Sequence, residues 1–161
     1  MRLRLALLAV FACLALPATA AAVPRGQGDG TLSVKGAGGT VSLAVRGSVI
    51  GQVDRGRVTV QDPNPADGKP PVVTGYEERR DLSDTKALYS GTDIRFRIIG
   101  GFFRVKIVGT GIDLSVVGRG SVTLGPALGV LTTGTFSFDG DEALPFPDVA
   151  LAFQLGSSST G

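Results

Sequence analysis

The side chains that most often carry enzyme chemistry are nearly missing from this chain. Histidine is absent, and Cys13 is the single cysteine among 161 residues. A serine–histidine–aspartate triad, a cysteine–histidine pair and a zinc site of nitrogen or sulfur ligands each need one of these residues. The composition therefore argues against those chemistries, and we expect no cofactor.

Carboxylates are the main chemistry that remains. Glutamate occurs only at Glu77, Glu78 and Glu142, and the sequence alone cannot place two carboxylates across a glycosidic bond. Asp139, Asp141 and Glu142 are weak calcium candidates, since oxygen ligands suit that ion, but the same residues fit a solvated hairpin tip. We expect no metal site and no catalysis, with a carboxylate-based hydrolase acting on envelope polymers as the alternative.

A second polar cluster lies between Asp62 and Gly68. It departs from the calcium-loop template because Asp67 stands at the sixth position, where a glycine is needed for the sharp turn. The cluster also holds Pro-Asn-Pro and Asp-Gly, which are common turn formers. The segment is therefore predicted to be a connector.

The best binding candidate is a run in which basic and apolar residues alternate on either side of Gly100-Gly101. This pattern predicts a hairpin with a two-residue loop, in which Ile98 faces Phe103. The same register puts four cations on the opposite face, with Arg97 across from Arg104 and Arg95 across from Lys106. The candidate anion-binding residues are Arg95, Arg97, Arg104 and Lys106.

Like charges that face each other across a hairpin are unfavourable, so we expect something to neutralise this patch. One alternative is internal: an acidic segment could fold over the patch, or solvent could screen it. The acidic residues of that segment are Glu77, Glu78, Asp81 and Asp84. The other alternative is an external anion, such as a phosphate-bearing envelope polymer, an acidic polysaccharide or a lipid head group, which the arginine fork suits.

The elements that must position these residues are predicted to be β-strands. From Leu32 onward the apolar residues recur with a period of two, valine, isoleucine, threonine and phenylalanine are enriched, and glycines interrupt the pattern every eight to twelve residues or so. We expect an all-β fold, namely an antiparallel β-sandwich or small barrel of about 8–10 short strands. A β-solenoid is the second choice.

The chain also resembles itself at a shift of 64 positions. That shift pairs eleven identical residues, most densely where Arg55-Gly-x-Val-Thr matches Arg119-Gly-x-Val-Thr. About five identities are expected by chance in a chain so rich in glycine and valine. The pattern fits either two duplicated halves, 29–92 and 93–156, or a coincidence between two glycine-interrupted meanders.

The first residues are typical of a secretory signal peptide. Arg2 and Arg4 precede an apolar stretch of about a dozen residues, and small residues follow it. Cleavage after Ala20 or Ala22 gives residues 1–22 as the signal peptide, and attachment of lipid to Cys13 is the less favoured reading because Phe11 is bulky. We expect a secreted, extracellular or cell-surface protein with no later membrane-spanning segment.

Removal of the leader changes the charge of the protein. Without its two arginines the 16 basic residues become 14, which equals the 14 acidic residues. A neutral chain with few aromatic residues argues against nucleic acid as a partner and leaves an anionic cell-envelope polymer as the candidate. The expected organisation is a short tail at 23–28, one all-β domain at 29–156 and a flexible tail at 157–161.

The run from Arg95 to Gly120, together with Gly47–Gly56, resembles a group of uncharacterised secreted β-rich proteins of actinobacteria. The resemblance covers most of the predicted mature chain. It implies export and a single domain, and it assigns no activity and no functional residues. We therefore expect a non-catalytic secreted or envelope β domain with a binding role or a purely structural, self-associating role.

Overall fold

The computed structural model describes residues 30–156, and these residues form seven β-strands and no helix. The strands are β1 Gly30–Gln61, β2 Val72–Thr74, β3 Glu78–Ser83, β4 Lys86–Gly125, β5 Thr133–Phe138, β6 Leu144–Pro145 and β7 Leu151–Leu155. Every strand pairing is antiparallel, so the predicted all-β fold is confirmed. The predicted signal peptide with Cys13, the tail at 23–28 and the tail at 157–161 lie outside the described residues.

Two of the strands are far longer than the sequence pattern suggests. β1 has 32 residues and β4 has 40, whereas the glycine spacing predicted many short strands. The glycines bend these strands instead of ending them. At Gly100 and Gly101, for example, φ is +70° and +71°, a conformation that glycine adopts without a Cβ penalty, and β4 continues on both sides.

β1 and β4 form a ribbon that coils on itself. Val105 of β4 pairs with Leu43 on one edge and with Val60 on the other, so successive stretches of β1 lie on both sides of the same stretch of β4. Glycines face each other where the strands bend, as at Gly47 and Gly118. The sheet curls over without closing into a barrel, and the result is β-sandwich-like.

The coiled ribbon has two layers, which we name by their strand segments. Layer A contains β2, β4 94–99, β1 48–53, β4 112–117, β1 30–34, β5 and β6. Layer B contains β3, β4 86–92, β1 55–61, β4 104–108, β1 40–46, β4 119–125 and β7. Residues on one face of both layers are buried, and residues on the other face meet solvent.

The core lies between the two layers and follows the predicted alternation. Ile94, Phe96 and Ile98 before the glycine bend, and Phe103, Val105 and Ile107 after it, are all at most 2% exposed. Burial of such side chains contributes roughly 1.5–3 kcal/mol each. Residues 30–156 contain no helix long and apolar enough to cross a membrane.

Candidate anion-binding groove

The predicted hairpin around Gly100-Gly101 does not form. Ile98 pairs with Val49 and Phe103 pairs with Val45, so both residues face β1 and not each other. A hairpin and a bent strand put the same side chains into the core, and only the pairing partner differs. Here residues 104–108 of β4 have β1 on both edges, and residues 95–97 have β1 on one edge and β2 on the other, so the backbone groups of the bent strand are paired on both sides.

The four predicted cations therefore lie in two pairs on different layers. Arg95 and Arg97 lie on the outer face of layer A, where they pair with Thr74 and Val72 of β2. Arg104 and Lys106 lie on the outer face of layer B, in β4 between two segments of β1. All four side chains are exposed, but the predicted pairings of Arg97 with Arg104 and of Arg95 with Lys106 are wrong.

The layer B pair lies in a shallow groove of about 400 Å³. We call it the basic groove. Its lining residues come from β1, β3 and β4 and are Ser42, Leu43, Ala44, Thr59, Gln61, Leu82, Lys86, Arg104, Val105, Lys106, Ser121 and Thr123. The lining thus combines three cations with four hydroxyl groups and one amide, and it includes no carboxylate.

Strand register sets the positions of the three cations. Arg104 pairs with Gln61 on one edge of β1, and Gln61 pairs with Lys86 on the other edge. Arg104 and Lys86 are therefore two strand spacings apart, about 10 Å, and Lys106 lies about 7 Å from Arg104 along the strand. The Arg104 guanidinium also lies over the Phe102 ring, 5.5 Å from its centroid, an arrangement that restrains its position.

Three of the four acidic residues predicted to cover the patch have other partners, and the fourth, Asp84, lies in the turn between β3 and β4. Asp81 accepts a 2.8 Å hydrogen bond from Arg79, and Glu78 lies 3.9 Å from Arg80. Glu77 accepts a 2.8 Å hydrogen bond from the Thr92 hydroxyl. The Asp81 carboxylate also raises the pKa of Arg79 above its usual value, mainly through this hydrogen bond.

The groove cations are left without such partners. Within residues 30–156, the side chains of Lys86, Arg104 and Lys106 take part in no ion pair. Sequence reasoning missed Lys86 because it lies 18 positions before Arg104, and nothing local connects the two. Only the pairing of both strands with β1 brings them to one surface.

The weak calcium candidates are not arranged as a metal site. Asp139 accepts hydrogen bonds from the backbone N–H of Thr31, at 2.7 Å, and from its hydroxyl, so this carboxylate ties β1 to the turn after β5. In the part of the chain that the structure describes, no three acidic, cysteine or histidine side chains group as metal ligands.

The predicted connector is a loop, between β1 and β2, and Asp67 fixes it to the sheet. Its carboxylate accepts a 2.8 Å hydrogen bond from Arg46 and a 3.3 Å hydrogen bond from the backbone N–H of Phe102. Asp62 accepts a hydrogen bond from the backbone N–H of Asn64, an arrangement typical of an aspartate turn. These carboxylates therefore hold the loop in place.

Comparison with protein-family models, curated proteins and solved structures gives no significant match for this chain.

Proposed function

We propose that this chain is a non-catalytic secreted or cell-envelope β domain that binds an anionic envelope polymer in the basic groove. The observation that carries the proposal is the placement of Lys86, Arg104 and Lys106 without ion-pair partners in one groove among residues 30–156. Cations at this spacing suit a ligand with repeated negative charges.

The rest of the groove supports a polymer with hydroxyl groups as well as charges. Ser42, Thr59, Ser121 and Thr123 present hydroxyls that donate and accept hydrogen bonds, and Gln61 adds an amide. The groove is shallow and open to solvent, so a chain can lie in it without its ends entering a closed pocket. Arginine matches phosphate and carboxylate groups with two parallel hydrogen bonds.

Charge-neutralising variants test this proposal with a matched control. Binding of poly(glycerol phosphate) and of polygalacturonate is measured by calorimetry at low ionic strength, with neutral dextran as a reference. We expect the double variant Arg104→Gln/Lys106→Gln to bind both polymers about 5- to 30-fold more weakly, since each of the two lost charge contacts contributes roughly 0.5–1 kcal/mol. The control Arg95→Gln/Arg97→Gln removes the same number of cations from layer A and should change binding less than ~3-fold.

The two polymers and the control separate the outcomes. Arg95 and Arg97 line a separate groove on layer A. Equal weakening by both double variants would therefore show that binding does not depend on the basic groove in particular, and it would refute the proposal. Absence of binding to either polymer would refute it as well. Preference for one polymer would assign phosphate or carboxylate as the ligand group.

The hydrolase alternative has less support because the groove lining includes no aspartate or glutamate. Glycoside hydrolysis needs two carboxyl groups that flank the scissile bond. We expect the length of either polymer to be unchanged after incubation with the protein. Shortening of a polymer would favour the hydrolase.

Export and the resemblance to secreted actinobacterial proteins complete the proposal. Export is supported by the order of features in residues 1–22, in which charged residues come first, an apolar stretch follows and small residues come last. N-terminal sequencing of the exported chain should begin at Ala21 or at Val23, and retention of Met1 would contradict export through a cleaved leader.

Duplication of an ancestral half is part of the same proposal. A shift of 64 moves β1 Gly30–Gln61 onto residues 94–125 of β4, and it moves residues 87–91 of β4 onto β7. The pairing of Gly56 with Gly91 then corresponds to the observed pairing of Gly120 with Leu155. These correspondences support two related halves that exchange their long strands.

A further inference from the structure

We infer that the outer edge of β7 is a docking edge for the β7 strand of a second copy of this chain. β7 pairs with β4 on one side only. Among the described residues, no other backbone hydrogen bond involves β7. Its outward N–H and C=O groups are therefore available to a further strand.

The fold itself indicates what kind of element covers such an edge. Under the 64-residue shift, β7 corresponds to residues 87–91 of β4, whose outer edge is covered by β3 in antiparallel pairing. The segment that corresponds to β3 is 142–147, but its strand β6 pairs with β5 instead. The place that β3 fills in one half is therefore open in the other half.

The edge strands β3 and β7 also differ in charge. β3 carries four charged residues among its six, namely Glu78, Arg79, Arg80 and Asp81, and charged edges resist pairing with another chain. β7 has the sequence Leu-Ala-Phe-Gln-Leu, with no charge and no proline. An uncharged edge of this kind favours strand addition.

The core reaches the surface at this edge. Leu151 and Phe153 lie opposite Leu124 and Val122, which are fully buried, so both side chains are on the core-facing side of β7. Leu151 is nevertheless 41% exposed. Phe153 packs on Phe136 and Phe138 at 5.6 and 4.9 Å between ring centroids, and it is only partly buried.

A second β7 strand would complete this arrangement. Two identical uncharged strands pair antiparallel about a twofold axis, which is the self-complementary geometry of a closed dimer. The partner's strand would cover Leu151 and Phe153 and extend layer B through both copies. The exposed side chain of Val149, in the loop two residues before β7, is a further apolar group near this edge.

The test places one lysine on this edge and one on a different edge. Leu151→Lys puts an ammonium group between two apolar strands, and Val72→Lys puts it on β2, where the side chain is 57% exposed. We expect the wild-type mature chain and Val72→Lys to sediment as dimers at 100 μM. Leu151→Lys should weaken the dimer at least ~100-fold, because its charge would be buried without a partner.

Amide hydrogen exchange tests the pairing between the β7 strands of the two copies. Amides of residues 151–155 that point away from β4 should exchange slowly in the concentrated wild type and quickly after dilution, and they should exchange quickly in Leu151→Lys at both concentrations. Far-UV circular dichroism confirms that both variants fold. A monomeric wild type at 100 μM, a dimer that survives Leu151→Lys, or a monomer that carries a different extended segment on β7 would overturn the inference.

Discussion

Gly56 and Gly109 face each other at a bend of the β1–β4 ribbon, and the close approach of the two strands depends on the missing side chains. A Cβ on Gly109 would overlap the carbonyl oxygen of Arg55 and lie 3.0 Å from the Cα of Gly56 and 2.9 Å from the Val53 side chain. Two of these three contacts are with backbone atoms, which cannot rotate away. The bend therefore tolerates glycine on both strands and nothing larger.

Gly109→Ala should lower the free energy of unfolding by about 3 kcal/mol. Overpacking costs roughly 1–3 kcal/mol, and the upper end applies because the facing backbone moves only by stretching neighbouring ladder hydrogen bonds. The measurement is urea unfolding monitored by circular dichroism, analysed by linear extrapolation. A loss of this size is a large part of the total stability of about 5–15 kcal/mol that is usual for a domain.

Gly140→Ala is the control for the conformational effect of the substitution. Gly140 has a φ of +79° with no atom within 4 Å of an added Cβ, so the alanine should cost only about 1 kcal/mol from its left-handed backbone. The double variant Gly56→Ala/Gly109→Ala should be less destabilising than the sum of its single variants, because one displacement of the strands relieves both overlaps. A Gly109→Ala cost no larger than that of Gly140→Ala, or strict additivity of the pair, would refute the reasoning.

Two further predictions concern the loop between β1 and β2 and the first and last described residues, Gly30 and Gly156. Asp67→Ala should cost about 1–2 kcal/mol in urea unfolding, because it removes two of the hydrogen bonds that tie the connector to the sheet, whereas Asp141→Ala should cost less than ~0.5 kcal/mol. Gly156 and Gly30 lie close together, since an added Cβ on Gly156 would be 2.9 Å from the backbone nitrogen of Gly30. A circular permutant can therefore join these two residues through two glycines and have its new ends in the exposed loop at 126–132. It should fold, with a free energy of unfolding within ~1 kcal/mol of that of the parent. A permutant that fails to fold would contradict the use of the close approach between Gly156 and Gly30 as a junction. Equal costs at Asp67 and Asp141 would contradict the role given to Asp67.

The alternation of residues was enough to predict the fold class and the inward side chains. Ile94, Phe96 and Ile98 and the matching residues after the bend are buried as predicted, since a strand has a period of two whatever it pairs with. The pairing partners were predicted wrongly. Gly-Gly between two alternating runs is compatible with both a hairpin and a bent strand, and local pattern cannot distinguish them.

The sequence predicted the candidate site only in part. Arg104 and Lys106 were predicted from the sequence and lie in the basic groove, but the same argument included Arg95 and Arg97, which lie on the other layer. Lys86 was missed. A cross-strand neighbour is determined by register, and register between segments distant in sequence depends on the whole set of pairings.

The sequence by itself determined the strand type, the buried face and the absence of histidine chemistry, because these depend on residue identity and on a period of two. Only the tertiary structure decided that the glycines bend two long strands, that four expected neighbours separate into two pairs, and that Lys86 joins one of them. The physical reason is that any register which pairs the backbone N–H and C=O groups on both edges of a strand is favourable. The choice among such registers is made by long-range packing of the coiled ribbon.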